Sequence, residues 1–305
     1  MLLRASSTPL EMVDREELIV LPGDVLVRVH ACGVCRADVD IADGVLPVDD
    51  FPLVPGHEVI GVVEDIGDGV TNVEPNDRVG IPRLGHTCGT CAYCTSGREH
   101  LCADARFTGY QSDGGFAEYV VADARYAVKI PDAYTDADAA PLLCGGVLGY
   151  RAYRMTGEGR HLGIYGDDVA AGVAAQVATY EGRNVWVGAA ETTPPARLDA
   201  AIVCAPSGAL IAEALSHVAP GGIVVCAGAH KSDVPSFSYE RLGRGRGVRS
   251  VDAVTRQDLA DFLAIAPKIP VKVRVQRYTL GDANRALNDV RAGRVRGAAV
   301  LEIDS

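Results

Sequence analysis

The period of apolar and polar positions changes along the chain, and the changes divide it. Residues 24–31 (DVLVRVHA) alternate with a period of two, which predicts a strand with one buried face. VIGVVEDIG at 59–67, DRVGI at 77–81 and FAEYVVADARYAVKI at 116–130 carry the same β signal, with Gly and Pro as punctuation. From about residue 131 the pattern turns helical. TDADAAPLLCGGVLGYRAYRM at 135–155 predicts one helix, with Thr135 and the following Asp residues as its start signal. Strand and helix then alternate: HLGIYG, DVAAGVAAQVATYEG, NVWVGA, DAAIVCA, GALIAEALSHVAPGG and IVVCAG. Such alternation implies a parallel sheet with helices on its faces. The tail is mixed, with helices at QDLADFLAIA and LGDANRALNDVRAG and strands at VKVRVQRYT and GAAVLEI. The fold class expected is α/β, a β-rich part beside a shortened parallel-sheet part. The expected boundaries are residues 1–132 with 252–305 for the first, and 133–251 for the second.

Composition narrows the partners. A chain of 305 residues is long enough for two domains with cores of their own. Its formal net charge of −11, with no basic run, argues against nucleic acid. No apolar stretch reaches the roughly 18 residues that a membrane span needs. The first residues, MLLRASSTPLEMVDREEL, carry no signal-peptide core, so a cytoplasmic location is expected. In a reducing compartment, clustered cysteines point to metal rather than to disulfides.

The cysteines fall in distinct settings. Cys88, Cys91, Cys94 and Cys102 have the spacing C-x2-C-x2-C-x7-C. Four thiolates so close together saturate a tetrahedral zinc and leave no open position, which marks a structural site. His86 and His100 flank this lobe and are expected to be exposed rather than ligating. Cys204 and Cys226 lie in apolar runs and read as small buried hydrophobes. The others lie in CGVCRADVD (Cys32, Cys35) and AAPLLCGGVLGY (Cys144), and a histidine stands in VPGHEVIGVV (His57).

Together with the cysteine lobe and RFTGYQSDGGFAEYVVADARYAVKIP, these segments resemble the zinc-containing alcohol dehydrogenases of the medium-chain dehydrogenase/reductase superfamily. The resemblance implies a GroES-like catalytic domain built from both ends of the chain, around a Rossmann-like domain. It implies that Cys35, His57 and Cys144 hold a catalytic zinc, with Glu58 as an alternative ligand and Asp38 bonded to the ligand histidine. Two zincs per chain are expected, with a small-molecule substrate and a homodimer or homotetramer. The strand leading into CAGAHKSD is a candidate for joining subunits at a sheet edge. Cys32 is expected to be a buried neighbour. Where the family has a proton-relaying Thr or Ser, this chain has Ala37, and Asp40 stands where a relay histidine often lies. His230, in CAGAHKSDVPSF, is a further acid/base candidate, and side chains around Phe107, Tyr110 and His230 are expected to shape the pocket.

The nucleotide segment departs from the family. A dinucleotide loop needs glycines for the tight turn, for close approach of the pyrophosphate and for helix packing. Here GIYGDDVAAG keeps Gly166 but places Asp167 and Asp168 next, and Asp168 stands at the second glycine. Both aspartates suit a helix N-terminus instead. The linker GAAETTPPARL is too short for the helix and strand of the adenosine side, and Glu191 within it reads as a loop charge. The expectation is therefore a zinc enzyme in which nicotinamide binding is doubtful and the metal serves redox-neutral chemistry. Elimination, hydration, cyclisation or hydrolysis would qualify, with Glu58 and Asp40 as acid/base groups. The alternative is a conventional NAD(P)-dependent alcohol dehydrogenase, in which Arg294 and Arg296 would help hold phosphate.

Overall fold

The computed structural model describes residues 1–15, 18–228, 232–251 and 253–303. The chain forms two units. The first comprises Met1–Cys144, Thr255–Leu263 and Val273–Ser305; the second comprises Gly145–Val254 and Ala264–Lys272.

In the first unit the alternation at 24–31 does form a strand, β1 (Asp24–Val34). Val25, Val27 and Val29 are fully buried while their neighbours are half-buried, as a period of two requires. β1 pairs along one edge with β2 (Glu58–Ile66). Along the other edge its first half pairs with β6 (Tyr119–Asp123) and its second half with β14 (Ala298–Glu302). β3 (Arg78–Ile81), β7 (Val128–Lys129) and β13 (Val275–Thr279) complete the sheet, in the order β13-β14-β1-β2-β3-β7. A small pair, β4 (Leu84–His86) and β5 (Arg106–Phe107), brackets the cysteine lobe in sequence. Because β1 is the shared spine, residues just after it and just before β2 are brought side by side.

The helix expected over 135–155 is broken. α3 (Asp136–Ala139) starts on Thr135, whose hydroxyl accepts the Asp138 N–H at 3.2 Å. A 3-10 turn, Ala140–Leu143, follows, and α4 (Gly145–Arg154) starts afresh. Pro141 explains the break, since it has no N–H and its ring crowds the carbonyl four residues earlier. Cys144 sits at the junction with φ −128° and ψ −85°, outside either helix.

The second unit holds β8 (His161–Tyr165), α5 (Val169–Tyr180), β9 (Asn184–Gly188), β10 (Leu198–Val203) and α6 (Gly208–His217). β11 (Val218–Ala227) and β12 (Gly247–Val251) follow. All pairings are parallel, in the order β12-β11-β10-β8-β9. Two expectations change. The helix expected through Gly222 ends at His217, because Pro220, Gly221 and Gly222 cannot continue it and β11 starts at once. The strand leading into CAGAHKSD is β11, which lies inside the sheet; β12 covers it and forms the edge.

A doubly wound dinucleotide fold has six strands in the order 3-2-1-4-5-6. Among the described residues this sheet has five, corresponding to 2-1-4-5-6. The third strand is missing, and residues 189–197 run as a linker from β9 to β10. Glu191 in that linker is exposed, with φ +63°, and its N–H donates to Glu213 at 3.0 Å.

Candidate metal sites

Cys35 is placed by the start of α1 (Arg36–Ala42). It caps that helix: its sulfur accepts the Ala37 N–H at 3.3 Å, and Asp38 accepts the Cys35 N–H at 2.8 Å. This is a capping box written with Cys and Asp.

His57 stands between Gly56 and β2. Gly56 has φ +101°, and a Cβ there would lie 2.5 Å from Phe116 and 2.9 Å from the Cys32 sulfur, so only glycine turns the chain here. The imidazole is 1% exposed. Its Nδ1 lies 3.1 Å from Asp38 Oδ1, and its Nε2 lies 3.2 Å from Cys35 Sγ. A carboxylate accepts from Nδ1, and that contact turns Nε2 toward the thiols. Asp38 is fully buried, with one oxygen on His57 and the other on the Cys35 N–H.

Glu58 pairs in register with Gly33 across β1 and β2, and its carboxylate lies over that glycine. A Cβ at Gly33 would fall 1.8 Å from Glu58 Oε2. Cys144 reaches the same place from the break between the 3-10 turn and α4. One donor atom from each of Cys35, His57, Glu58 and Cys144 lies within 4.8 Å of the others.

Burial and neighbouring charges shift the acidities in this cluster. The hydrogen bond shared with Cys144, and then burial, push the Cys35 thiol well above its ordinary value. Burial first, and then the Cys35 charge, push Glu58 well above the carboxylate range. For His57, burial acts to lower the pKa, but Asp38 and Cys35 outweigh it and hold it well above ordinary. Buried anionic donors facing one another are a poor arrangement by themselves and a good one around a divalent cation. Two sulfurs and an imidazole nitrogen suit zinc.

The second cluster is Cys88, Cys91, Cys94 and Cys102, again with donor atoms within 4.8 Å. Cys88 Sγ is 3.6 Å from Cys102 Sγ and 3.9 Å from Cys94 Sγ, and Cys91 Sγ is 3.6 Å from Cys94 Sγ. Backbone N–H groups of Thr90 and Cys91 bring the Cys88 thiol down to about 6. His86 and His100 are half-buried rather than exposed, and neither joins the cluster. His86 bonds Asp123 at 3.1 Å.

Other candidates fall elsewhere. Asp40 is buried, but its carboxylate meets Arg36 at 3.0 Å and it is not in the donor cluster. Cys32, Cys204 and Cys226 are buried. Phe107 lies under the Arg83 guanidinium, and the Tyr110 hydroxyl donates to the Pro47 carbonyl at 2.8 Å. Arg294 pairs with Asp289 at 2.6 Å, and Arg296 is exposed. His230 lies outside the described residues. In the second unit Gly166 has φ +135°, Asp167 is exposed, and Asp168 caps α5 by accepting the Ala171 N–H at 2.8 Å. What the sequence alone did not reveal is the seat of Glu58 over Gly33; a glycine facing a glutamate across two strands becomes a signal only once the register is known.

Comparison with known proteins fits this geometry. Residues 21–132 match the family described as alcohol dehydrogenase GroES-like domain, and residues 173–301 match that described as zinc-binding dehydrogenase. Over 322 aligned positions the chain is 42% identical to a probable alcohol dehydrogenase, AdhA, of Mycobacterium tuberculosis (strain CDC 1551 / Oshkosh), covering 97% of this chain and 93% of that one. The chain belongs to the zinc-containing alcohol dehydrogenases of the medium-chain dehydrogenase/reductase superfamily. An alcohol dehydrogenase of Geobacillus stearothermophilus is 36% identical, with 97% of each chain covered. A thermostable alcohol dehydrogenase from Pyrobaculum aerophilum superposes with a TM-score of 0.87, at 26% identity over 99% of each chain. A cinnamyl alcohol dehydrogenase of Sorghum bicolor gives 0.85, at 26% identity over 94% of this chain and 92% of that one. The alignment to the mycobacterial alcohol dehydrogenase is longer than this 305-residue chain, so that relative carries residues this family member lacks.

One test of the site needs no substrate. Asp38→Asn replaces an oxygen that accepts from His57 or Cys35 with an NH2 group that cannot. Zinc affinity at that site is expected to fall about 10- to 100-fold, read by competition with a chromogenic chelator. An unchanged affinity would contradict the role given to Asp38.

Proposed function

We propose that this protein interconverts small alcohols and aldehydes or ketones at a zinc held by Cys35, His57 and Cys144. The observation that carries this reading is the donor set itself, with Asp38 fixing His57 behind it, in a chain 42% identical to a probable alcohol dehydrogenase. A zinc bound there supplies a Lewis acid for the substrate oxygen, since three protein ligands leave one position open. Asp38, on Nδ1 of His57, orients the ring so that Nε2 faces the metal. Glu58, buried beside the donors, serves as an alternative ligand or as a group that holds a proton. Ala37 offers no hydroxyl to relay one, and the Asp40 carboxylate is held by Arg36 outside the donor cluster. The four-cysteine cluster is a structural zinc site. Cytoplasmic location and assembly as a dimer or tetramer belong to the same proposal; no helix among the described residues is long and apolar enough to cross a membrane.

Nicotinamide is the hydride acceptor that this reading requires, and the second unit does not fit a dinucleotide in the usual way. Asp168 caps the helix that would face the pyrophosphate, and among the described residues the sheet has no third strand. These two observations favour a second reading, redox-neutral zinc chemistry such as elimination, hydration, cyclisation or hydrolysis. Absorbance at 340 nm separates the two. Sustained turnover of primary alcohols or aldehydes with NAD or NADP, abolished by a chelator and restored by zinc, is expected from the first reading. No turnover across the panel leaves the second.

A further inference from the structure

The first turn of a helix presents N–H groups without partners inside the helix, and these are what a bound phosphate uses. In α5 one is engaged from within. Asp168 Oδ1 accepts the Ala171 N–H at 2.8 Å. Buried Cys204 follows the neighbouring strand β10 and interacts with the same carboxylate. The positive end of the α5 dipole thus already faces a negative charge. Gly166 still makes the sharp turn after β8, so the chain arrives at the helix as a phosphate-binding loop would.

We infer that Asp168 is an internal anion in the position of a dinucleotide's pyrophosphate, and that it sets this protein's affinity for NAD(H) low. The effect has two parts: an N–H donor is occupied, and the carboxylate repels a second anion. At a separation of about 4 Å and an effective dielectric of 20, the repulsion alone corresponds to roughly a thousandfold in affinity. Asp168 is exposed at the surface although its carboxyl end is crowded enough that burial raises its pKa; solvent and salt screen part of the repulsion, and at least about a tenfold effect is expected. The inference depends on neither choice of reaction, because it concerns binding alone.

The experiment is a calorimetric titration of the zinc-loaded protein with NADH, without substrate and at low ionic strength. Asp168→Asn keeps a good N-cap and removes the charge. Asp167→Asn makes the same change of net charge one residue away, on an exposed side chain that no hydrogen bond ties to α5 among those described. NADH is expected to bind Asp168→Asn at least about tenfold more tightly than the natural protein, and Asp167→Asn within about twofold of it. The inference is overturned if Asp168→Asn gains nothing, if it shows no measurable binding, or if both variants gain equally. Failure here is distinct from failure of the proposed reaction, which is read by turnover and by metal dependence.

Discussion

Turnover falls by on the order of a thousandfold when Cys35 or His57 is replaced by alanine, if the metal at that site polarises the substrate; a loss of ~4 kcal/mol of stabilisation corresponds to that factor. The two variants are expected to differ in stability. Cys35→Ala removes a helix cap, which costs about 1 kcal/mol. His57→Ala leaves Asp38 Oδ1 buried without the imidazole, a loss of about 3–5 kcal/mol for a broken buried pair. Cys35→Ser is the cleaner probe, since a serine hydroxyl still caps α1 while binding zinc less well than a thiolate. Circular dichroism and thermal unfolding establish that the fold survives, and metal analysis should then find one zinc per chain. Full activity in a folded Cys35 variant would refute the zinc mechanism.

The second large effect concerns the cysteine lobe. Cys94→Ala is expected to release the structural zinc and to unfold residues 88–102 locally, because α2 (Ala92–Thr95) has no buried residue and the 3-10 turn Glu99–Leu101 buries only Glu99. Apparent zinc binding in small metal-dependent lobes is on the order of 10 kcal/mol, far more than such a segment gains from its own packing. Limited proteolysis should find a new cleavage within 88–102, while the metal at Cys35, His57 and Cys144 stays bound. Glu99, which is buried and accepts the Arg256 N–H at 2.9 Å, ties the lobe to the rest of its unit. A lobe that resists protease without its metal would show that such contacts suffice.

Much of the fold was legible because the residues at issue are governed locally. Val25, Val27 and Val29 alternate as a half-buried strand must, and the segments HLGIYG to IVVCAG alternate as a parallel sheet requires. The spacing of Cys88 to Cys102 needs no long-range information either. The misses are places where a local signal was outweighed or was weak. The Ala- and Leu-rich run at 135–155 has helical propensity throughout, yet Pro141 divides it, and the division frees Cys144 from a helix. At 218–222 the run of Pro and Gly ends a helix whose hydrophobic period continued. β12, at the sheet edge, has exposed polar residues and little alternation, so nothing in GVRSV announced a strand. The gathering of Cys35, His57, Glu58 and Cys144 depends on how β1 and β2 pair, which no single segment encodes. The missing third strand was legible only as a short linker; the sheet order gives it a place.

The most direct measurement is the visible spectrum of protein carrying cobalt in place of zinc at Cys35, His57 and Cys144, recorded with and without a small alcohol. Cobalt in a tetrahedral site with an open position reports what enters that position. The expected result is a set of bands that shifts and saturates as alcohol is added, and that is lost in His57→Ala. Bands that no alcohol or aldehyde moves, or that persist unchanged in His57→Ala, would contradict a substrate-binding metal centre at these residues.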